Sequence, residues 1–183
     1  MRLFVAVNFD EVTKSRLLAV QSRIKTQSVR GNFSRPENLH LTLVFIGEVA
    51  AALAPEIAAI IKNSLVPTPS AFAVDLGRTG CFRHDGKELW WIGPGAGGNG
   101  DSGIGALASI RQRIGEGLDT AGIHYDRRPF KAHITLGREI IPRAPIAPGE
   151  QRLTVPVNRI SLMQSERARG ILAYTELFGQ NLA

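Results

Sequence analysis

Two short runs in this chain carry residue types that do acid–base chemistry. They are His40-Leu41-Thr42-Leu43 and His133-Ile134-Thr135-Leu136, one His-apolar-Thr-Leu pattern repeated 93 residues apart. An imidazole has an ordinary pKa of about 6.5, so it can serve as acid or base near neutral pH. Two of them facing one reacting centre can divide the work. One protonates a departing oxygen and the other takes a proton from water. A threonine hydroxyl beside each can hydrogen-bond the non-bridging oxygens of a phosphate and stabilise charge in the transition state. This scheme needs no metal and no other cofactor.

Such chemistry needs the two runs on facing strands. In a strand, residues i and i+2 share a face about 6.6–6.8 Å apart. Each His therefore projects with its Thr, while the Leu and Ile between them turn to a core. The rest of the chain supplies the frame. Residues 2–9 read as a strand, and Asp10 stands where a helix N-cap belongs, with Glu11 in the first turn. Leu17, Gln21, Ile24 and Ser28 fall in line at helical spacing, which predicts a helix to about residue 28. Arg35-Pro36-Glu37-Asn38 is turn chemistry, followed by a strand at 39–46. An Ala-rich helix is expected at 50–65, with Pro55 near its start. Strands are expected at 70–77 and 88–92, a helix at 104–118 and a strand at 131–141. A proline-bearing loop at 142–149 leads to strands at 152–164 and 170–178, joined by a charged turn at 165–169. This order predicts an α+β fold with mainly antiparallel pairing.

Composition narrows the function classes. A chain of 183 residues with 44% hydrophobic and 21% charged residues is long enough for one domain, or two lobes sharing a core, and is not a disordered chain. No apolar run approaches the 18 residues or so of a spanning helix, so no membrane contact is expected. Leu3 to Phe9 is short, contains Asn8 and lacks a small-residue cleavage site, which argues against a signal peptide. A single cysteine, Cys81, excludes an internal disulfide and suits the cytoplasm. The net charge is +6, and seventeen of the 22 basic residues are Arg, whose planar fork matches phosphate oxygens. Each half of the chain carries 11 basic and 8 acidic residues, so the charge is spread and is not a tail.

The paired motifs bring a family into view. The chain resembles the 2H phosphoesterase superfamily, and within it the RNA 2′,3′-cyclic phosphodiesterases, also called 2′-5′ RNA ligases. The likeness covers nearly the whole chain: RLFVAVNF at the start, PENLHLTLVFIGEV at 36–49, FKAHITLGR at 130–138 and LMQSERARGILAYTELF at 162–178. It implies one domain of two lobes over residues 1–183. Two antiparallel sheets with helices outside would line a central cleft with pseudo-two-fold symmetry. It implies hydrolysis of a terminal 2′,3′-cyclic phosphate to a 2′-phosphate, with His40 the proton donor, His133 the proton acceptor, and Thr42 and Thr135 holding the phosphate. Reversal would join RNA ends through a 2′-5′ linkage. The expected partners are RNA ends, tRNA among them, bound by a monomer. Val44 and Ala132 depart from the family, which usually has a basic residue and a proline at these places. Arg138 matches a basic position, yet strict alternation puts it on the face opposite His133 unless a bulge intervenes. Arg35 and Arg128 are candidate backbone-phosphate contacts, and Phe45 and Trp90 candidate base contacts.

Other readings stay open. A relative acting on a small cyclic nucleotide or a cyclic ADP-ribose phosphate would use the same histidines. A non-catalytic RNA-binding module would bind with steep salt dependence and never turn over. Residues 95–100 match G-x-G-x-x-G, which points to a nicotinamide-cofactor protein, although Gly103 and Gly105 delay the following helix and favour an inserted loop. Cys81-Phe82-Arg83-His84 has half the spacing of a metal site and no second half. Trp90 and Trp91 alternate, so one is core and the other faces the cleft.

Overall fold

The computed structural model describes residues 1–95, 103–168 and 170–183. The β-forming opening makes β1 (Arg2–Asn8), and Asp10 then caps α1 (Glu11–Thr26). The Asp10 carboxylate accepts from the Thr13 N–H at 2.7 Å, satisfying one of the amides that a helix start leaves open. The helix buries Leu17, Val20, Gln21 and Ile24. It ends short of residue 28 because the chain turns into β2 (Ser28–Phe33), whose SVRGNF sequence has no apolar alternation to announce it. There follow β3 (His40–Glu48), α2 (Ala54–Ser64), β4 (Phe72–His84), β5 (Lys87–Pro94) and α3 (Ile104–Thr120). The last four strands are β6 (Ile134–Pro142), β7 (Glu150–Val157), β8 (Arg159–Ala168) and β9 (Ile171–Asn181).

Two expectations are corrected here. β4 and β5 are longer than expected and form a hairpin whose turn uses positive φ at Asp85 and Gly86, the backbone shape that tight hairpins require. Residues 152–164 are two strands, parted at Asn158. Gly95 apart, the glycine-rich run 95–100 lies outside the described residues, as does Arg169 of the expected turn. The strands flanking that run, β5 and β6, pair antiparallel. A dinucleotide-binding unit needs them parallel, so that reading loses its frame.

All pairings are antiparallel, in the order β7-β4-β5-β6-β3-β1-β8-β9, with β2 beside β6. The two expected sheets are the halves of this one sheet. They meet at a single residue pair, Leu41 with Ile134, beyond which β6 leaves β3 and pairs with β2. Helix residues Leu17, Ile57, Ile61, Leu107 and Ile114 share one buried cluster with Leu3, Val5, Leu41, Trp90 and Ile134 from the strands. Each such side chain contributes about 1.5–3 kcal/mol by leaving water. The opposite face carries a small second cluster of Phe4, Ala6 and Met163, with Phe45 and Tyr174 against it. Among the described residues no helix is long and apolar enough to cross a membrane.

Candidate active site

The junction of the half-sheets places both motifs. Leu41 and Ile134 pair and are buried at 2% and 0% exposure, so their neighbours on either side face away from the helices. Continuing the antiparallel register sets His40 across from Thr135 and Thr42 across from His133. The Leu41–Ile134 pair is thus a local two-fold centre, and the two histidines sit diagonally about it. Strand spacing and a two-residue offset put their Cα atoms about 8 Å apart. That separation leaves room for one phosphate between the two rings.

Each ring is held the same way. His40 Nδ1 lies 2.8 Å from the Asn38 carbonyl oxygen, and His133 Nδ1 lies 2.7 Å from that of Lys131. A carbonyl oxygen only accepts, so Nδ1 carries the proton in both rings and Nε2 is left for chemistry. In the neutral His40 ring that Nε2 is bare, and the Thr42 hydroxyl donates to it at 3.0 Å. The two histidines and their carbonyl partners, two residues upstream, are therefore one device built twice.

A pair of bulges re-aims the residues just past each motif. In β3, Val5 pairs with Val44 and Ala6 with Thr42, so β3 carries one residue more than β1 there. Consecutive Leu43 and Val44 are both buried, and Phe45 returns to the helix-free face opposite Phe4. In β6, Trp91 pairs with Thr135 and Trp90 with Gly137, again with one extra residue. Leu136 and Gly137 are both buried, and Arg138 emerges exposed. Strict alternation fails for Arg138 because of this bulge. Its positive charge reaches both His40 and Tyr174. Phe45 and Arg138 are equivalent places in the two halves, five residues beyond each His. Val44, where the family usually has a basic residue, is a core side chain. The β6 bulge is braced from α1: Gln21 Nε2 donates to the carbonyls of Ser34 at 2.7 Å and Leu136 at 2.8 Å. The Ser34 hydroxyl donates to the Thr135 carbonyl at 2.8 Å.

The rings differ in their surroundings. His40 stands between Phe4 and Tyr174, with ring centroids 4.8 and 5.0 Å away. A part of it meets solvent, yet protein encloses most of the ring. This burial lowers its pKa to about 4, with Arg138 and His133 lowering it further and the Asn38 carbonyl opposing them. The resting His40 is a neutral imidazole. Tyr174 is itself pushed up by burial, while Arg138, Arg2 and Arg167 pull it the other way, so three guanidinium groups bear on this side of the site. Arg2 also stands over the Phe45 ring, 5.0 Å from its centroid. His133 has a different neighbour: Phe82 meets it edge-on with centroids 6.4 Å apart.

Trp90 is corrected outright. It is 0% exposed, on the helix side, and its indole N–H donates to the Glu88 carboxylate at 2.7 Å. Trp91 is the one that faces the cleft. Arg128 is exposed and paired with Asp126, and Arg35 lies 3.9 Å from Glu37, so neither is fixed on the histidines. Phe45 and Arg128 also line a groove of about 1080 Å³ between β3 and residues 122–128. That groove contains neither His40 nor His133. Among the described residues no three His, Cys, Asp or Glu side chains gather as metal ligands. Sequence reasoning missed Phe4, Phe82, Arg2 and Arg167. No local signal marked them, because their places depend on the pairing of distant strands.

Comparison with known proteins places the chain in a family. The profile of the 2′-5′ RNA ligase superfamily matches residues 13–169. The chain is 32% identical over 168 residues to an RNA 2′,3′-cyclic phosphodiesterase of Thermus thermophilus, covering 91% of this chain and 82% of that one. A protein of the same name from Archaeoglobus fulgidus is 31% identical over 140 residues, covering 75% and 72%. Among solved structures, TT0787 of Thermus thermophilus superimposes with a TM-score of 0.79 at 30% identity, over 100% of this chain and 98% of that one. LigT of Escherichia coli, solved with 3′-AMP, shares the fold with a TM-score of 0.75 at 24% identity, over 99% and 97%.

Proposed function

The chain belongs to the 2′-5′ RNA ligase superfamily, and from that premise we propose that it hydrolyses a 2′,3′-cyclic phosphate at an RNA end to a 2′-phosphate. One observation carries the reading. Two imidazoles, each with Nδ1 tied to a backbone carbonyl and Nε2 left free of it, stand diagonally about the Leu41–Ile134 pair that joins β3 to β6.

The chemistry follows from that placement. The phosphate rests between Thr42 and Thr135, whose hydroxyls bond its non-bridging oxygens. His133 Nε2 takes a proton from water as the water oxygen bonds phosphorus. The P–O3′ bond breaks in line, and His40 Nε2–H gives its proton to O3′. The phosphate stays on O2′. Burial holds the resting His40 neutral, so the bound phosphodiester's negative charge is what makes its imidazolium favourable. When Nε2 becomes a donor, the Thr42 hydroxyl is released from it to the phosphate. Arg138 balances the charge on the non-bridging oxygens, and Phe45 offers a face to the terminal base. The half-sheets act as two lobes of one domain over residues 1–183.

The test is incubation with an RNA ending in 2′,3′-cyclic phosphate. The expected product is a 2′-phosphate; a 3′-phosphate, or no turnover, contradicts the assignment. Higher kcat/KM for a cyclic mononucleotide than for the cyclic-ended oligonucleotide would point to a small-nucleotide substrate instead.

A further inference from the structure

The site has a second aromatic surface that hydrolysis of one RNA end does not use. Trp91 lies beside Thr135 in the sheet register and opposite Gly80 of β4. Its indole lies flat over that glycine: a Cβ on Gly80 would come within 2.5 Å of the ring, and one on Gly93 within 3.2 Å. Phe82 stands against the indole, with centroids 5.6 Å apart and planes 35° from parallel. Phe82 is 48% exposed, so much of its ring is open to a ligand. The Trp91 Nε1 is buried and has no partner among the described residues. Phe82 and Trp91 together form a shelf that touches His133. The surface made by Phe4, Phe45 and Tyr174 lies instead at His40. Arg78 is exposed, and its pairing with Gly93 puts it on the shelf's face of the sheet.

Resting on the function proposed above, we propose that the Phe82–Trp91 shelf is the acceptor subsite, which stacks the first base of an RNA strand ending in a 5′-hydroxyl. The argument is positional. His133 is the group that deprotonates the attacking oxygen, so whatever binds beside His133 supplies the nucleophile. A base on an aromatic shelf there brings its own 5′-hydroxyl to the place of the attacking water. His133 Nε2 then takes the proton from O5′, the O5′–P bond forms, the P–O3′ bond breaks, and His40 Nε2–H protonates O3′. The product is a 2′-5′ phosphodiester, and atoms and charge balance without any other reactant. Arg78 lies where it can meet the acceptor strand's backbone phosphates. The donor strand, on the His40 side, makes no use of the shelf.

The experiment uses the full chain with a cyclic-ended RNA and excess 5′-hydroxyl RNA, and reads joined product against 2′-phosphate in one reaction. Both products come from the same folded molecules, so the ratio is independent of how much enzyme is active. In Phe82→Ala the ratio falls by about tenfold or more, the size expected for one lost base stack. Phe82→Tyr, which retains the ring, keeps the wild-type ratio. Joining and hydrolysis falling together would assign the shelf to the donor strand and overturn the proposal. An unchanged ratio, or a wild type that hydrolyses but never joins, would overturn it as well. Failure of the wild type to open the cyclic phosphate at all is read separately, as failure of the phosphodiesterase reading.

Discussion

Binding an inert phosphodiester should move the pKa of His40 upward by about three pH units. In the free protein it lies at about 4 because protein encloses the ring and Arg138 and His133 add like charge. A singly charged phosphodiester about 4 Å from the imidazolium, at an effective dielectric constant of about 20, stabilises it by about 4 kcal/mol. At about 1.36 kcal/mol per pH unit that amounts to about three pH units. The perturbation is saturation with the 3′-methyl phosphodiester of a 2′-deoxynucleotide, which has no 2′-oxygen and cannot react. The assay is NMR titration of the His40 ring carbon–proton signal, free and bound. Linkage supplies a second reading: affinity for the diester should rise about tenfold for each pH unit lowered below about 7, levelling off near pH 4. The diester stays singly charged across that range, so the slope belongs to the protein. A His40 titration unmoved by the ligand, or an affinity flat from pH 7 to pH 5, would refute the role of substrate charge in arming the acid.

Four further outcomes are expected. His40→Ala and His133→Ala each lower kcat by about 10²- to 10⁴-fold while circular dichroism stays that of the wild type; full turnover in either removes that residue from the mechanism. Stability should fall in acid through His40. Its folded pKa is below its unfolded one, so the unfolded chain binds more protons, and about 3 kcal/mol present above pH 6.5 is lost as pH falls to about 4. Urea unfolding at pH 7 and pH 4.5 would show it, and His40→Gln should lose less over the same interval. Gln21→Leu removes the side-chain donor from the carbonyls of Ser34 and Leu136, the latter keeping the Ser34 N–H, at a cost of about 1–3 kcal/mol in urea titration. Turnover should persist in excess chelator because the proton transfers belong to imidazoles; loss of activity restored by a divalent ion would contradict this.

The motifs were legible in the sequence because a strand's two-residue period is simple. His and Thr at i and i+2 share a face wherever the strand lies, and the echoed apolar partners, Leu41 and Ile134, gave the other face. The cap at Asp10 was legible for a similar reason, being a local hydrogen bond to Thr13. What depended on distant strands was not. The bulge that turns Arg138 into the site is held by Gln21 and Ser34, which lie more than a hundred residues away in sequence. The choice between Trp90 and Trp91 needed the sheet's two faces to be known, and a buried carboxylate at Glu88 that could receive the Trp90 indole. β2 carries no periodicity of its own and exists because β6 has an open edge once it leaves β3. The pKa of His40 is likewise a product of packing, set by Phe4 and Tyr174 closing around the ring.

The central claim is that two imidazoles flank one phosphorus atom, and a crystal structure with a nucleoside 2′,3′-vanadate, the five-coordinate mimic of the transition state, tests it most directly. The account predicts vanadium between the strands, with His40 Nε2 and His133 Nε2 each within hydrogen-bonding distance of opposite apical oxygens and both threonine hydroxyls on the equatorial ones. Vanadate touching only one histidine, or bound in the groove beside residues 122–128, would contradict it.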